Sequence, residues 1–258
     1  GTGSTATDAS SHGLDATLLN GADWSTDTPS TAFANPGALI FDGVDAYVSV
    51  AGTPEIDDLQ EFTLATWVTL SCLPAGTMRF ITLRNEKAVL RYDDEALHFY
   101  VKIDGALKDI RLSGALVADS WLHVAGSSDG ETMRVYLDGE LQDTRAETGT
   151  VALGAGVHLS SPDEALHGLL DDVRVYDRAL SDSQVQALAN GEELTFDNDI
   201  NVAGDFVRNG GVFNPGVGAV TFDGSGVQTL DTDALAFHDV TVSGGVTLTT
   251  EAVVMLLG

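Results

Sequence analysis

The segment Phe62-Thr-Leu-Ala-Thr-Trp-Val-Thr-Leu70 decides the fold of this chain. Its even-numbered positions are apolar apart from Thr66, whereas its odd-numbered positions are mixed. Because side chains alternate across a strand, an extended segment with this pattern has one apolar face and one mixed face. The segment Val173-Arg-Val-Tyr176 alternates in the same manner. Both patterns predict strands that pack one face against a core, as the strands of a sandwich do.

Short strand candidates and tight turns recur on both sides of this segment. Turns are predicted at Asp104-Gly105, Asp129-Gly130 and Asp138-Gly139, because Asp-Gly dipeptides favour hairpin connections. One short helix is predicted, which begins after the N-cap residue Ser181 and ends at Asn190-Gly191. Many short strands without alternating helices predict an all-β sandwich or barrel.

The chain carries a formal net charge of −27, because it has 39 acidic residues and only 12 Lys and Arg residues. Such a surface repels nucleic acid and anionic lipid, so both classes of partner are set aside. No apolar run reaches the roughly 18 residues of a membrane helix, so no membrane insertion is expected. The charge suits a salt-adapted protein or one that gathers Ca²⁺; an ordinary acidic secreted protein is the alternative. The single cysteine, Cys72, excludes an internal disulfide, and its apolar surroundings predict a buried, inert thiol.

The composition changes after the predicted helix, so we divide the chain into domains 1–190 and 191–258. The second part is rich in Gly, Val and Thr, and Ile200–Val207 is weakly echoed by Asp239–Val246. These repeats predict a short solenoid-like β module. Its apolar end, Val253–Leu257, predicts a strand that pairs with a neighbouring domain or subunit. Alternatively, the tail folds back on the sandwich.

Several motifs resemble those of the laminin-G-like jelly rolls in the concanavalin A-like lectin/glucanase superfamily. They occur in the family's order and are Phe41-Asp-Gly-Val-Asp-Ala-Tyr-Val48, Glu61–Val68, Trp121-Leu-His-Val-Ala125 with Arg134-Val-Tyr-Leu-Asp-Gly139, and Leu169–Ser181. The resemblance covers residues 7–190 and implies a two-sheet antiparallel jelly-roll sandwich. The tail resembles strand repeats of bacterial surface proteins more weakly.

The resemblance also implies a structural calcium site. Its expected ligands are Asp8, Asp15, Asp171 and, if the strand register differs by one, Asp172. A loop that offers carboxylates and backbone carbonyls, closed by a second carboxylate, can supply the six to eight oxygens that Ca²⁺ requires. The loop departs from the family where Ser11, His12 and Ala16 replace Gly and Asn. The alternative is that these acids merely belong to a very acidic surface.

Sugar binding would require aromatic side chains with polar neighbours on one face of a sheet. The candidates for a carbohydrate site are Trp67, Arg79, Asn85, Tyr92 and Tyr100. Aromatic residues on strands more often fill a core than bind a ligand, which is the alternative for each of them.

Catalytic patterns are weak. Glycosidases on this fold carry paired carboxylates on one strand, but Glu55-Ile-Asp57-Asp-Leu-Gln60 ends in an amide and follows Pro54, which indicates a loop. The six histidines are scattered and form no metal-ligand spacing. We therefore expect no enzymatic activity.

Two functions remain after this exclusion. The first is a non-enzymatic structural or adhesion module, stabilised by calcium, in a larger extracellular or cell-surface protein or filament. The second is a carbohydrate-binding module of a secreted polysaccharide-active enzyme. Exposed aromatic residues on a sheet would favour the second function, and an assembling tail would favour the first.

Overall fold

The computed structural model describes residues 3–10, 12–194, 200–203, 206–207, 219–224, 227–231, 236–237, 239–242, 247–250 and 255–256. The chain divides into two compact units, Gly1–Glu193 and Leu194–Gly258. None of the helices in the described ranges is long and apolar enough to cross a membrane.

The helices and strands of the first unit are almost all strands. In chain order its elements are β1 (Thr5–Ala6), β2 (Ala16–Leu19), β3 (Asp23–Ser25), β4 (Ala38–Asp42), β5 (Tyr47–Val50), α1 (Pro54–Asp57), β6 (Phe62–Leu70), β7 (Thr77–Leu83), β8 (Ala88–Asp93), β9 (Ala96–Ile103), β10 (Ala106–Ser113), β11 (Leu122–Ser128), β12 (Thr132–Leu137), β13 (Glu140–Ala146), β14 (Val157–Leu159), β15 (His167–Tyr176) and α2 (Asp182–Ala189).

The strands form two antiparallel sheets. One has eight strands in the order β1-β2-β5-β14-β7-β8-β9-β10, and the other has seven in the order β13-β12-β11-β6-β15-β4-β3. The all-β, two-sheet antiparallel sandwich predicted from the sequence is therefore confirmed.

The core lies between the sheets and takes its side chains from alternate positions of the strands. Phe62, Leu64, Val68 and Leu70 of β6 are all buried, as the alternation predicts. They pack in one cluster with residues of the eight-stranded sheet such as Phe99. Burial of this apolar surface is the main driving force that holds the sheets face to face.

The outer face of β6 is also buried, which the alternation alone does not predict. Thr63 and Ala65 are fully covered, and only Trp67 is partly exposed. The chain that follows β15 provides the cover: the Thr63 hydroxyl donates to the carbonyl of Arg178 and accepts the N–H of Leu180, both at 2.9 Å. The segment that follows β15 therefore covers part of the outer face of the seven-stranded sheet.

Turns and caps follow their local sequence. Asp104-Gly105 and Asp138-Gly139 connect their strands with positive φ at both residues, as tight hairpins require. Helix α2 begins at the predicted N-cap Ser181, whose hydroxyl accepts the N–H of Gln184 in a capping box. The turn at Asp129 is stabilised by its carboxylate, which accepts two backbone N–H groups.

Two local predictions are wrong. The segment after Pro54 forms the one-turn helix α1, because Pro at its first position suits a helix N-terminus. Its carbonyls Ile56 O and Asp57 O accept hydrogen bonds from the buried Lys87 ammonium group, at 3.3 and 2.8 Å. Cys72 is exposed, because β6 ends at Leu70 before the thiol is reached.

In the second unit the described segments pair in parallel. The strands are β16 (Ile200–Val202), β17 (Phe206–Val207), β18 (Ala219–Phe222), β19 (Val227–Asp231), β20 (Ala236–Phe237), β21 (Asp239–Val242), β22 (Thr247–Thr250) and β23 (Met255–Leu256). They form three short sheets, β16-β18-β21, β17-β19-β22 and β20-β23. Of the predicted docking segment Val253–Leu257, residues 253, 254 and 257 lie outside the described residues, and its role in assembly stays a prediction.

Candidate functional site

The outer face of the eight-stranded sheet carries a polar depression that crosses β7, β8, β9 and β10. Its cavity volume is about 340 Å³. We name it the Arg91 pocket; its lining residues are Arg79, Glu86, Arg91, His98, Tyr100, Leu107 and Asp109.

Strand register brings these side chains together. Arg79 pairs across the ladder with Arg91, and Arg91 pairs with His98. In the neighbouring row, Tyr100 lies opposite Asp109. A register shift after Arg79 lets the following Phe80 and Ile81 both face the core, while Arg79 stays on the outer face.

Arg79 and Arg91 are held by three carboxylates, two from loops and one, Asp93, from the end of β8. Glu164 accepts a hydrogen bond from Arg79 Nε, and its other oxygen lies 3.6 Å from Arg91 Nη1. Glu86 lies 3.0 Å from Arg79 Nη1, and Asp93 lies 2.9 Å from Arg91 Nη2. Each guanidinium group is thus fixed by two acidic partners, which is the geometry that orients arginine donors.

Tyr100 forms the floor of the pocket and is nearly fully buried. The guanidinium carbon of Arg91 lies over its ring, 5.2 Å from the ring centroid, and its hydroxyl donates to Glu86. Burial raises the pKa of Tyr100, and the hydrogen bond to Glu86 raises it further. Burial alone would raise the pKa of Glu86, but hydrogen bonds from Tyr100 and Arg79 outweigh it and hold that pKa below its ordinary value.

His98 connects the two rows. Its Nδ1 accepts from Arg91 Nε at 3.2 Å, and its Nε2 lies 3.2 Å from Asp109 Oδ2. Burial, and then the charge of Arg91, lower the pKa of His98. We therefore assign the neutral tautomer with the proton on Nε2, which donates to Asp109. Nδ1 also lies 3.3 Å from Asp93 Oδ2, and this contact is an ion pair only when the ring is protonated.

The five predicted carbohydrate-binding residues do not share one site. Arg79 and Tyr100 lie together in the Arg91 pocket. Asn85 is exposed in the β7–β8 turn and donates to the carbonyl of Gly154. Tyr92 is fully buried in the core with its hydroxyl on the carbonyl of Pro74, and Trp67 lies on the seven-stranded sheet. A common face for all five residues is therefore wrong, because β8 turns Tyr92 inward.

Sequence reasoning missed most of the pocket. Glu86, Arg91, His98 and Asp109 were not singled out, although three of them alternate in phase with Tyr100 on paired strands. The period-two pattern could have indicated that they share a face once the hairpin turns were placed.

The predicted calcium ligands fall in two places. Asp8 and Asp15 lie in the β1–β2 loop, where Asp8 accepts the N–H groups of Ser10 and Leu14. Burial alone would raise the pKa of Asp8, but hydrogen bonds from the Ser10 hydroxyl and from these N–H groups hold it below its ordinary value. Ser11, at the centre of that loop, lies outside the described residues.

The other two ligands lie on β15 of the opposite sheet. Asp171 accepts from Asn35 Nδ2 at 2.6 Å, and burial raises its pKa. Asp172 forms an ion pair of 2.7 Å with Arg174. Among the described residues, no three acidic, histidine or cysteine side chains converge as a metal site. The four carboxylates thus do not fit a single ion in this geometry, and calcium binding stays a prediction.

A second cavity, of about 360 Å³, is lined by Gly21, Ile40, Phe41, Asp42, Ser71 and His167. Its acidic side chain is already used, because Asp42 accepts the N–H of Val44 at 2.9 Å. Cys72 lies beside it, with Sγ 3.7 Å from His167 Nδ1. The Arg91 pocket offers the larger number of oriented polar groups, so we take it as the candidate site.

Solved structures with a similar fold include binding domains of botulinum neurotoxins. The binding domain of botulinum neurotoxin serotype D superposes with a TM-score of 0.58 at 13% identity, covering 72% of this chain and 48% of the toxin domain. The type DC binding domain in complex with SialylT gives 0.56 at 16%, covering 76% and 50%. A type C structure, described as dependent upon two ganglioside molecules for cell entry, gives 0.58 at 14%, covering 76% and 50%.

The present chain spans about half the length of these toxin domains. No curated protein sequence matches it. A laminin-G family model, described as concanavalin A-like lectin/glucanases superfamily, matches residues 42–186, which is more than half of the chain. The chain therefore belongs to the laminin-G-like family of the concanavalin A-like lectin/glucanases superfamily.

Proposed function

We propose that the first unit is a non-enzymatic carbohydrate-binding module of an extracellular or cell-surface protein, and that the Arg91 pocket binds the sugar. The observation that carries this proposal is the set of oriented polar groups around one cavity of about 340 Å³. Ligand sites typically combine a few fixed polar groups with apolar surface in a concave region of this size. Leu107 supplies an apolar contact at the rim.

The chemistry of the pocket suits hydroxyl groups. Arginine offers donors in a fixed plane, and carboxylates offer acceptors, so a pair of neighbouring sugar hydroxyls can be held by both. The side chains are also held before a ligand arrives, since Arg91 is bonded to His98 and Asp93. Pre-formed contacts reduce the entropy that binding would otherwise cost.

Glycan binding by proteins of similar fold supports the proposal. One similar toxin binding domain is in complex with SialylT, and cell entry of the type C toxin is dependent upon interaction with two ganglioside molecules. The likeness to these toxins extends to the fold, and the pocket itself supplies the reason to expect a sugar here.

A structural or adhesive role is the second candidate. The parallel strands of the second unit support it, because strands stacked in register can be extended by an equivalent strand from a neighbour. In this proposal the C-terminal strands join copies of the chain or neighbouring domains into a larger surface protein or filament.

Screening a glycan array with the complete chain tests the first candidate. Arg91→Ala should weaken binding of any retained glycan by about tenfold or more, because it removes a charged donor and frees its acidic partners. Arg134→Ala is the matched control, since Arg134 makes a comparable 2.7 Å ion pair with Asp129 on the other sheet. Circular dichroism would show whether both variants fold. Glycan binding that survives Arg91→Ala in a folded protein, or an array with no bound glycan, would overturn the proposal.

A further inference from the structure

His98 lies among the charged groups of the Arg91 pocket and is itself buried. The charged and titratable side chains around its ring come from three neighbouring strands and are Arg91, Asp93, Tyr100, Asp109 and Arg111. Its ring nitrogen Nδ1 has two neighbours of opposite hydrogen-bonding character. Arg91 Nε, a donor, lies at 3.2 Å, and Asp93 Oδ2, an acceptor, lies at 3.3 Å.

The protonation state of His98 decides which of these two neighbours Nδ1 can bond. A neutral ring with its proton on Nε2 accepts the N–H of Arg91, whereas a protonated ring donates from Nδ1 to Asp93. In both states Nε2 can donate to Asp109, which lies at 3.2 Å. The ring can therefore exchange Arg91 for Asp93 without leaving its place.

This exchange changes how firmly Arg91 is held. In the neutral state its guanidinium group contacts His98, Asp93 and Glu164. In the protonated state two donors and two positive charges face each other at 3.2 Å, so the hydrogen bond is lost and the groups repel. Asp93 Oδ2, which already contacts Arg91 and Arg111, is then also shared with the ring. Protonation therefore loosens the arginine on which the proposed sugar site depends.

His98 is the one histidine among the residues that line the pocket, and imidazole ordinarily titrates between pH 5 and 8. Burial, and then Arg91, lower the pKa of His98, so the ring takes up its proton below pH 6.5. Burial alone would raise the pKa values of Glu86 and Asp93, but hydrogen bonds and nearby arginines hold both below their ordinary values. Affinity that requires the neutral ring is thus complete above pH 6.5 and falls as the pH drops through the pKa of His98.

We infer, on the basis of the proposed sugar-binding function, that His98 is an acid switch of the Arg91 pocket, which holds a glycan while the ring is neutral and releases it when the ring is protonated. Glycan binding and protonation of His98 oppose each other, because the two states of the ring differ in how they hold Arg91.

Binding of uncharged glycans on an array at pH 7.5 and pH 5.0 tests the inference, because acid does not change the charge of these glycans. Binding by the complete wild-type chain should fall about fivefold or more at pH 5.0. His98→Gln should lose most of this dependence, relative to its own binding at pH 7.5, because the amide takes up no proton. His158→Gln is the matched control and should keep the dependence, since His158 is a half-buried histidine of the same sheet outside the pocket. Circular dichroism would check the fold of each protein at both pH values.

Nuclear magnetic resonance of the ¹⁵N-labelled chain tests the switch without a ligand. The Nε–H signal of Arg91 should shift on acidification with the same midpoint as the ring nitrogens of His98, and this shift should be absent in His98→Gln. Separate midpoints for the two side chains would overturn the inference.

The outcomes also separate the switch from the function on which it rests. If wild-type protein binds glycan equally at both pH values, the sugar site stands and the switch is wrong. If wild type and His98→Gln lose the same share of binding at pH 5.0, the acid acts elsewhere and the inference also fails. If no glycan binds at pH 7.5, the proposed function fails and the inference fails with it.

Discussion

His123 should make the sandwich lose stability in mild acid. It lies on β11 with only 1% of its surface exposed, in edge contact with Trp67 at a ring-centroid distance of 5.5 Å. Burial, and then the charge of Arg174, lower the pKa of His123 from 6.5 to about 4. Below pH 6.5, His123 therefore takes up a proton in the unfolded chain, whereas in the folded chain it stays neutral until the pH reaches about 4.

The size of the effect follows from this shift. Each pKa unit corresponds to about 1.4 kcal/mol, so the shift at His123 removes on the order of 3 kcal/mol of stability by pH 4. The side chain is essentially inaccessible to solvent, so no discount for screening is needed. The free energy of unfolding should be unaffected by this residue above pH 6.5 and should fall as the pH drops toward 4. The lowered pKa values of His98 and His158 act in the same direction.

Comparison of the wild-type protein with His123→Phe isolates the contribution of this residue. Phenylalanine keeps the aromatic contact with Trp67 and cannot take up a proton. The substitution also leaves no hydrogen-bond partner of Nδ1 unpaired, because His123 Nδ1 has no hydrogen bond within the described part of the chain. Urea unfolding at pH 7 and pH 4.5 should show a smaller acid-induced loss in the variant, whatever its stability at pH 7. The control is His12→Ala, which removes an exposed histidine instead of a buried one. An equal acid-induced loss in wild type and His123→Phe would refute the reasoning.

Replacing Gly126 by Ala should lower the free energy of unfolding by about 1–3 kcal/mol, because the added methyl group meets the Phe99 ring of the opposite sheet. Unchanged stability in urea would contradict that close packing. The melting temperature should be higher in molar NaCl than at tens of millimolar, because salt screens repulsion among carboxylates in a chain of charge −27; a flat or falling trend would contradict salt adaptation. The calcium site implied by the family resemblance predicts that EDTA lowers the melting temperature and that Asp171→Asn removes this sensitivity. A melting curve that EDTA leaves unchanged would reject the calcium site.

The two-sheet fold could be predicted because its information is local. Alternation along Phe62–Leu70 assigns a core face, and Asp-Gly turns with positive φ connect neighbouring strands. The cap at Ser181 is equally local, since its capping box joins residues only three positions apart. Burial of Thr63 could not be predicted this way, because its cover comes from Arg178 and Leu180, more than a hundred positions along the chain.

The candidate site could be predicted only in part for the same reason. Arg79 and Tyr100 were identified from residue type, but their partners depend on strand register and on a loop contact from Glu164. The calcium ligands show the opposite case. The resemblance implies that Asp8 and Asp171 share an ion, whereas in the structure Asp8 lies in the β1–β2 loop with Ser10 and Leu14 as hydrogen-bond partners and Asp171 lies on β15 with Asn35 as its partner, so calcium binding stays a prediction.

The placement of the basic residues also supports the Arg91 pocket as a binding site. In a chain with 39 acidic residues and 12 basic ones, most carboxylates have no cation available to them. Charges that serve solubility alone can be spread over the surface without fixed partners. Here Arg79 and Arg91 line the pocket, Arg111 continues their cross-strand row beyond His98, and each arginine holds at least one carboxylate. Scarce cations that fix acidic side chains around one cavity specify a geometry, and a specified geometry is what recognition of a ligand requires.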